Sequence, residues 1–135
     1  MTPNFLPSHA TVTIETPRWS FTKRSASGID FRSPVPTPFN YGSILDTLAP
    51  DGEPVDAIVL GPRLSQGSRW HMPVLGIVKF VDDSLPDDKW ILGLEISRSD
   101  CLVIDAFFAV YAQAKSARHR YSGKSGAKYL GFAIR

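Results

Sequence analysis

The sequence predicts a small β-barrel of the α+β class, on three grounds. The chain has 135 residues, the size of one domain, so we expect a single domain over residues 1–135. Its 43% hydrophobic and 21% charged residues are typical of globular proteins and argue against a disordered or fibrous chain. Eleven prolines argue against a helical bundle, because proline stops helices, and short β patterns with one long helical pattern favour a barrel.

The first half of the chain predicts short strands separated by turns. The clearest is Thr11–Thr16, where polar and apolar side chains alternate until Pro17, as in a half-buried strand. A proline-rich segment, Ser33–Gly42, is expected to be an extended loop. The other predicted elements of this half are a strand at Ile29–Arg32, one helical turn at Ser43–Leu48 and a buried strand at Val55–Leu60.

The second half predicts a β-hairpin, a helix and a final strand. The long β pattern Arg69–Phe80 contains Pro73 and Gly76, which mark a bulge or an edge position. A polar turn then leads to Lys89–Leu94, the expected partner strand of the hairpin. The remaining elements are a helix from Cys101 to about Ala114 with Asp100 as its N-cap, a flexible loop at Ser116–Gly126 and a strand at Lys128–Ile134.

Charge is distributed unevenly along the chain, although the net charge is only +2. Eleven of the thirteen acidic residues lie between Asp46 and Asp105, and the segment after Asp105 contains six Lys or Arg residues and no acid. This asymmetry is compatible with self-complementation in the fold or with a polyanionic partner. One cysteine and three scattered histidines exclude a disulfide framework and a zinc-finger-like site.

No secretion signal precedes the first strand, and no apolar run is long enough to cross a bilayer. Both features predict a soluble cytoplasmic protein with no membrane partner.

Two acidic clusters lie at the ends of predicted strands. The first is Asp51-Gly52-Glu53-Pro54-Val55-Asp56, and the second extends from Asp82 to Lys89. Either cluster alone is most simply a solvated turn, because Asp, Gly and Pro are common turn formers. Four carboxylates facing one another at about 6 Å would cost about 3 kcal/mol for each pair, so they would require raised pKa values or bound cations. Oxygen ligands without Cys or His favour hard ions such as magnesium, manganese or calcium.

The residues of these clusters resemble the aspartate signature of the soluble (family I) inorganic pyrophosphatases. The resemblance includes Pro38–Gly42, Asp51–Gly61 and Pro73–Lys89, and it extends over about Thr11–Leu94. It implies a five-stranded barrel of the oligonucleotide-binding type with one main packing helix near the C-terminus. It also implies hydrolysis of inorganic pyrophosphate to two phosphates by a metal-activated water, with several Mg²⁺ ions, or Mn²⁺, at the site. Family members are often oligomers, so the resemblance implies a homo-oligomer.

The resemblance implies a role for each matching residue. The divalent ions would be bound by Asp51, Asp56, Asp82 and Asp87, with Glu15 contributing through water at a looser site. The phosphoryl groups would be held by Lys23, Arg32, Tyr41, Lys89 and Tyr111. The catalytic pair would be Asp56 and Glu53, of which Glu53 stands where the family has an aspartate that helps to activate the attacking water.

Three departures from the family pattern keep a second interpretation open. Glu53 is one methylene longer than the expected aspartate, and a misplacement of about 1 Å can cost roughly a hundredfold in rate. Ser25 stands where a carboxylate is expected, and Ala112 stands where a lysine is expected. Lys115, one helical turn beyond Tyr111, is a candidate replacement for that lysine. The alternatives are therefore a slow enzyme and a pyrophosphatase-like protein that binds metal and phosphate compounds without efficient turnover.

Simpler interpretations also apply to single positions and to the basic tail. Tyr41 and Tyr111 fit packing aromatics, Lys89 fits a surface ion pair, and Glu15 fits a strand residue facing water. The basic and aromatic residues of the tail are compatible with a β-barrel that binds single-stranded nucleic acid through charge and stacking, namely Arg118, Arg120, Tyr121, Lys124, Lys128 and Tyr129. The acidic middle of the chain argues against that function, because it would repel a phosphate backbone.

Overall fold

The computed structural model describes residues 6–25, 28–32 and 36–135, without the side chains of residues 22–25, 28–32 and 119–122. The predictions for Lys23, Ser25 and Arg32 therefore concern side chains outside the described residues. The elements, in chain order, are β1 (His9–Thr16), β2 (Thr22–Ser25), β3 (Gly28–Arg32), β4 (Asn40–Ile44), β5 (Asp56–Val59), β6 (Arg69–Asp82), β7 (Leu85–Pro86), β8 (Lys89–Leu92), α1 (Arg98–Ser122) and β9 (Ala127–Ile134).

Five of the strands close into a mixed barrel. Strand β1 pairs antiparallel with β4, β4 pairs antiparallel with β5, and β5 pairs parallel with β8. Strand β6 completes the ring, because it pairs antiparallel with β8 on one side and with β1 on the other. Strands β7 and β9 are added to β6, while β2 and β3 form a separate hairpin. The prediction of a five-stranded barrel with one main helix near the C-terminus is confirmed.

The long strand β6 bends where the sequence predicted a bulge. Its first residues pair with β1 and its later residues pair with β8 and β9. The register with β8 shifts between Val74 and Gly76. A Cβ atom at Gly76 would collide with the carbonyl oxygen of Ala133 on β9, so this close approach of two strands requires glycine.

Two apolar clusters divide the residues of the barrel strands. Side chains alternate between the faces of a strand, so neighbouring residues contribute to different clusters. The inner cluster lies inside the barrel and includes Ala10, Val12, Ile14, Ile44, Ala57, Val59, Val74, Ile77 and Leu92. The outer cluster lies between the barrel and α1 and includes Phe39, Tyr41, Ile58, Val78, Phe80, Ile91, Ile104, Phe108 and Tyr111.

The helix α1 begins earlier than the sequence predicted. Its N-cap is Ser97 and not Asp100, so the predicted cap is wrong. The Ser97 hydroxyl accepts a hydrogen bond from the backbone N–H of Asp100 at 3.1 Å. In return, the Asp100 carboxylate accepts one from the backbone N–H of Ser97 at 2.9 Å. This reciprocal arrangement is a capping box, and it places Asp100 in the first turn.

The helix also ends later than predicted, so the expectation of a loop starting at Ser116 is wrong. The helix continues to Ser122 because no proline or glycine interrupts it, and Gly123, with φ +71°, ends it. The Ser116 hydroxyl donates to the Ala127 carbonyl at 3.0 Å and accepts from the Ala127 N–H at 2.9 Å, which fastens α1 to β9. In the described part of the chain, no helix combines the length and apolarity needed to cross a membrane.

The helical turn predicted at Ser43–Leu48 is also wrong. Ser43 and Ile44 belong to β4, because β4 lies between β1 and β5 and pairs with both. Asp46 has φ +59°, in the left-handed region, which a right-handed helical turn does not allow.

Candidate active site

The outer surface of the barrel changes from apolar to charged at one end. Strands β5 and β8 start side by side, with Asp56 opposite Lys89, and the antiparallel strand β6 ends near them at Asp82. Each of these three residues is two positions from a member of the outer cluster on the same strand, namely Ile58, Ile91 and Phe80. Strand alternation therefore directs the charged side chains to the surface that α1 covers. We call this region the charged end.

Lys89 is the most buried residue of the charged end, with 1% of its surface exposed. Its Nζ lies 2.7 Å from Oδ2 of Asp87 and 3.2 Å from Oδ2 of Asp56. The same Nζ is 5.3 Å from the centroid of the Phe80 ring. A lysine at this depth requires anionic partners, because an isolated buried charge is strongly destabilising. Its ammonium group thus bridges two carboxylates, that of Asp87 just before β8 and that of Asp56 at the first position of β5.

Asp87 is the carboxylate most affected by this environment. Burial raises the pKa of the Asp87 carboxyl above its usual range, Lys89 and Lys115 lower it, and the neighbouring charge of Asp56 raises it. Burial prevails over the two lysines because removal from water disfavours the charged form. A further cation beside Asp87 would therefore stabilise its ionised form.

A second lysine enters the charged end from the helix. Lys115 is buried, and its Nζ lies 2.7 Å from Oδ2 of Asp82 at the end of β6. The same Nζ is 5.5 Å from the ring centroid of Tyr111, one helical turn earlier. Tyr111 is itself buried in the outer cluster, as is Tyr41 on β4. Three carboxylates and two lysines thus meet where α1 and the barrel enclose them.

Glu15 lies two strands from Asp56 in the barrel. Its Oε2 accepts a hydrogen bond of 2.8 Å from the Ser43 hydroxyl, and Ser43 is opposite Asp56 in the pairing of β4 with β5. Ser43 was missed from the sequence, because its position beside Asp56 becomes visible only when the register of the two strands is known.

Asp51 and Glu53 lie in the turn before β5. Asp51 is exposed, and its Oδ1 accepts a hydrogen bond of 3.0 Å from the backbone N–H of Glu53. Glu53 is half-buried, and its carbonyl oxygen accepts a hydrogen bond from the Ala49 N–H at 2.7 Å. Both hydrogen bonds lie within the turn that leads to Asp56, the first residue of β5.

The second acidic cluster separates into two pairs of aspartates with different contacts. Asp82 and Asp87 contact the buried lysines, as described above. Asp88 pairs with the half-exposed Lys79 at 3.2 Å and accepts a hydrogen bond from the Phe80 N–H at 3.1 Å. Asp83 accepts a hydrogen bond of 2.7 Å from the Ser125 N–H. Asp83 and Asp88 therefore stabilise the hairpin and its neighbouring loop.

Lys23 and Arg32 belong to the β2–β3 hairpin, where Lys23 is opposite Phe31 and Arg32 is opposite Thr22. Their side chains lie outside the described residues, so their predicted contacts with phosphate stay predictions.

The donor chemistry of the charged end suits hard divalent cations, because Asp56, Asp82 and Asp87 offer only carboxylate oxygens. Each of these carboxylates already has a cationic nitrogen within 2.7–3.2 Å. Across the residues that the structure describes, no three Asp, Glu, His or Cys side chains form a ready-made metal site. Lys89 lies between Asp56 and Asp87, so ion binding there would replace contacts that ammonium groups make.

Comparison with known proteins gives the family. A family model of inorganic pyrophosphatase matches residues 12–100. The inorganic pyrophosphatase of Xylella fastidiosa strain 9a5c is 33% identical over 105 residues, which cover 70% of this chain and 58% of that protein. That of Gluconobacter oxydans is 37% identical over 95 residues, which cover 64% of this chain and 55% of that protein. The chain thus spans less than two thirds of the length of these relatives.

Solved structures give the same fold. The inorganic pyrophosphatase of Thermus thermophilus superposes with a TM-score of 0.73 at 24% identity, covering 100% of this chain and 87% of that chain. That of Coxiella burnetii gives 0.70 at 23% identity, covering 94% of this chain and 86% of that chain. Because the family model matches residues 12–100, more than half of the chain, the chain belongs to the soluble (family I) inorganic pyrophosphatases.

Proposed function

We propose that this protein hydrolyses inorganic pyrophosphate to two phosphates at the charged end, as a single domain over residues 1–135. The observation that carries the proposal is the meeting of Asp56, Asp82 and Asp87 with the buried Lys89 and Lys115 in a chain of this family. Pyrophosphate carries several negative charges, so its hydrolysis requires a site that gathers positive charge before an anionic nucleophile approaches.

The fixed part of that positive charge would come from the lysines. Lys89 and Lys115 are nearly removed from water, so their attraction for a phosphoryl oxygen is screened less than that of a surface lysine. Both are held in one position by carboxylates before substrate arrives, which reduces the reorganisation required during reaction. In this proposal Lys89, with Lys23 and Arg32 from the hairpin, holds the phosphoryl groups.

The two tyrosines would complete the phosphate contacts from the apolar side. Tyr41 lies two residues before Ser43 on the same face of β4, and Tyr111 lies beneath Lys115 on α1. A phenol O–H donates a hydrogen bond to a phosphate oxygen without adding charge to the site.

The carboxylates would hold the divalent ions and direct the water. We propose Asp51, Asp56, Asp82 and Asp87 as direct ligands, with Glu15 acting through water. When bound, Mg²⁺ or Mn²⁺ lowers the pKa of a coordinated water and neutralises charge on the phosphoryl oxygens. Glu53 would accept the proton of the attacking water, and Asp56 would orient that water towards phosphorus.

The test is phosphate release from pyrophosphate in the presence of Mg²⁺, with two variants that each remove one carboxylate charge. Asp56→Asn should lower the rate by at least about a hundredfold, because it removes a ligand from the centre of the site. Asp46→Asn is the matched control: Asp46 is exposed, lies outside the charged end and has a φ of +59° that asparagine tolerates. Its rate should equal that of the wild type.

Two results would contradict the proposal. Equal rates in all three proteins would exclude Asp56 from the reaction. Mn²⁺ binding that Asp56→Asn abolishes, without phosphate release from any of the three, would favour the second candidate, a metal- and phosphate-binding protein. That candidate is supported by Glu53, Ser25 and Ala112, which depart from the family pattern.

We also propose that the protein is a cytoplasmic homo-oligomer. The outer side of α1 exposes Leu102, Val103 and Val110, which supports a subunit contact along the helix. Light scattering should give a mass above 14.9 kDa that Leu102→Glu lowers; a mass of one chain would contradict the proposal.

A further inference from the structure

We propose that Lys115 is a phosphate-binding residue that Asp82 holds in position until Asp82 exchanges it for a divalent ion. This inference rests on the proposed function, because it requires divalent ions and phosphate at the charged end. The family resemblance assigns no role to position 115, and Ala112 occupies the position where it expects a lysine.

The position of Lys115 on α1 is the first observation. The buried face of the helix carries Ile104, Phe108, Tyr111 and Ala112 before it reaches Lys115. An apolar residue at position 115 would continue this face without the cost of removing an ammonium group from water. The lysine instead points at the charged end, where its Nζ is 2.7 Å from Asp82 and its charge also lowers the pKa of Asp87.

A second ion pair in the same region shows how unusual this one is. The side chains of Lys79 and Asp88 are 41% and 28% exposed, whereas those of Lys115 and Asp82 are 9% and 21% exposed. The Lys79–Asp88 pair is a surface pair of small energetic effect. The Lys115–Asp82 pair is sheltered enough for its charges to act strongly on any ion that enters the charged end.

Lys115 and a divalent ion would compete for Asp82. The Asp82 carboxylate attracts a divalent ion and the Lys115 ammonium group through the same oxygen atoms. Once Asp82 binds a divalent ion, its contact with Lys115 is weakened, and a phosphate oxygen can accept the hydrogen bond of Lys115 instead. Removal of the lysine charge should therefore strengthen metal binding and weaken phosphate binding. A purely structural lysine would shift both affinities in the same direction, because its loss would distort the site for both ligands.

The experiment measures both affinities by calorimetry, with Mn²⁺ alone and then with methylenediphosphonate at saturating Mn²⁺. Lys115→Met should bind Mn²⁺ about three- to tenfold more tightly than the wild type, since a competing cation is removed. The same variant should bind methylenediphosphonate about ten- to a hundredfold more weakly, since a charged hydrogen bond is lost. Lys79→Met, the matched control, removes an equal charge from the exposed pair and should stay within about twofold of the wild type for both ligands.

A second variant serves as the test if the first does not fold. Lys115→Gln keeps a hydrogen-bond donor for Asp82 without the charge, and it carries the same two expected results if circular dichroism finds Lys115→Met unfolded.

Three results would overturn the inference. Variants of Lys115 that match Lys79→Met for both ligands would defeat it alone, as would variants in which both affinities fall. A wild-type protein that binds no Mn²⁺ would defeat the proposed function and this inference together.

Discussion

The inside of the barrel and the surface beneath α1 are built from alternating residues of the same strands, yet charge enters only one of them. The inner cluster is apolar on every barrel strand, for example at Val12, Ile77 and Leu92. The outer cluster is apolar beneath Phe108 and gives way to ion pairs beneath Lys115. The closed sheet surrounds the inner cluster, whereas α1 packs on the outer cluster and leaves the side chains of Asp56 and Asp82 20% and 21% exposed. The same alternation of side chains therefore supplies a core on one face and a site on the other.

The largest effect expected in the outer region follows from removing the charge of Lys89. Lys89→Met should lower the free energy of unfolding by about 3–5 kcal/mol without divalent ions, because Asp56 and Asp87 lose a buried cation. Millimolar Mn²⁺ should recover part of that stability, since the ion supplies positive charge to the same carboxylates. Urea unfolding with and without Mn²⁺ measures both changes.

The control for this prediction is Lys79→Met, which removes an exposed lysine from its ion pair with Asp88. It should change stability by less than about 1 kcal/mol, with no additional response to Mn²⁺. Equal decreases in the free energy of unfolding of the two variants would mean that the burial of Lys89 has no energetic consequence. The charged end would then not differ in stability from the exposed Lys79–Asp88 pair.

A pair of cavity substitutions separates the two clusters by function. Phe108→Ala in the outer cluster should cost about 3–5 kcal/mol of stability, and Ile77→Ala in the inner cluster about 2–5 kcal/mol. Phe108 contacts Phe80 and Tyr111, so its loss should also displace Lys115 and raise the KM for pyrophosphate. Ile77→Ala should leave KM unchanged in the folded fraction. Denaturation curves and steady-state kinetics give both quantities, and equal changes in KM would end the functional distinction between the clusters.

Much of the fold was predictable because its signals are local. Alternation over Thr11–Thr16 predicted the core of β1, and Pro73 with Gly76 predicted the bulge in β6. Short strand patterns predicted a β-barrel, but its five-stranded form was implied only by the family resemblance. The parallel pairing of β5 with β8 joins residues such as Asp56 and Lys89 that are far apart in sequence.

The wrong predictions of a loop after Ser116 and of a helical turn at Ser43 also have physical causes. The polar segment after Ser116 suggested a loop, but no proline or glycine interrupts it before Gly123, and the bonds of Ser116 to Ala127 hold the helix against β9. Ser43 suggested a helical turn, but two neighbouring strands hold it in β4. Contacts with other strands therefore hold both segments in the observed structure: β9 at Ser116, and β1 and β5 at Ser43.

The candidate site was predictable to the extent that its residues match the sequence pattern of the soluble inorganic pyrophosphatases. That pattern included Asp56, Asp87 and Lys89, which the fold brings into contact. The contact of Lys115 with Asp82 joins residues 33 positions apart, and only the docking of α1 on the barrel reveals it. Asp51 and Glu53 were expected beside these residues, and their roles stay predictions because their contacts lie within their own turn.

The smallest predicted effect concerns Tyr129, which packs against the outer cluster from β9. Its O–H donates a hydrogen bond of 2.8 Å to Asp105. Burial raises the pKa of Tyr129 above its usual value, and the hydrogen bond to Asp105 and the negative charge of Asp105 act in the same direction. Tyr129→Phe should therefore cost about 1 kcal/mol at neutral pH, because one hydrogen bond is lost.

The pH dependence of that difference has a definite sign. A raised pKa in the folded state means that the contribution of Tyr129 is fully present below about pH 10, where the unfolded tyrosine is still protonated, and declines above it. The stability advantage of the wild type over Tyr129→Phe should thus shrink as the pH rises above about 10. Phosphate release at neutral pH should be the same in both proteins, since the contacts described for the Tyr129 side chain are with Asp105 and Phe108, neither of which is a proposed ligand. A stability advantage that grows with pH would mean that folding lowers the pKa of Tyr129 instead of raising it. A loss of activity in Tyr129→Phe would mean that the functional region extends beyond the charged end.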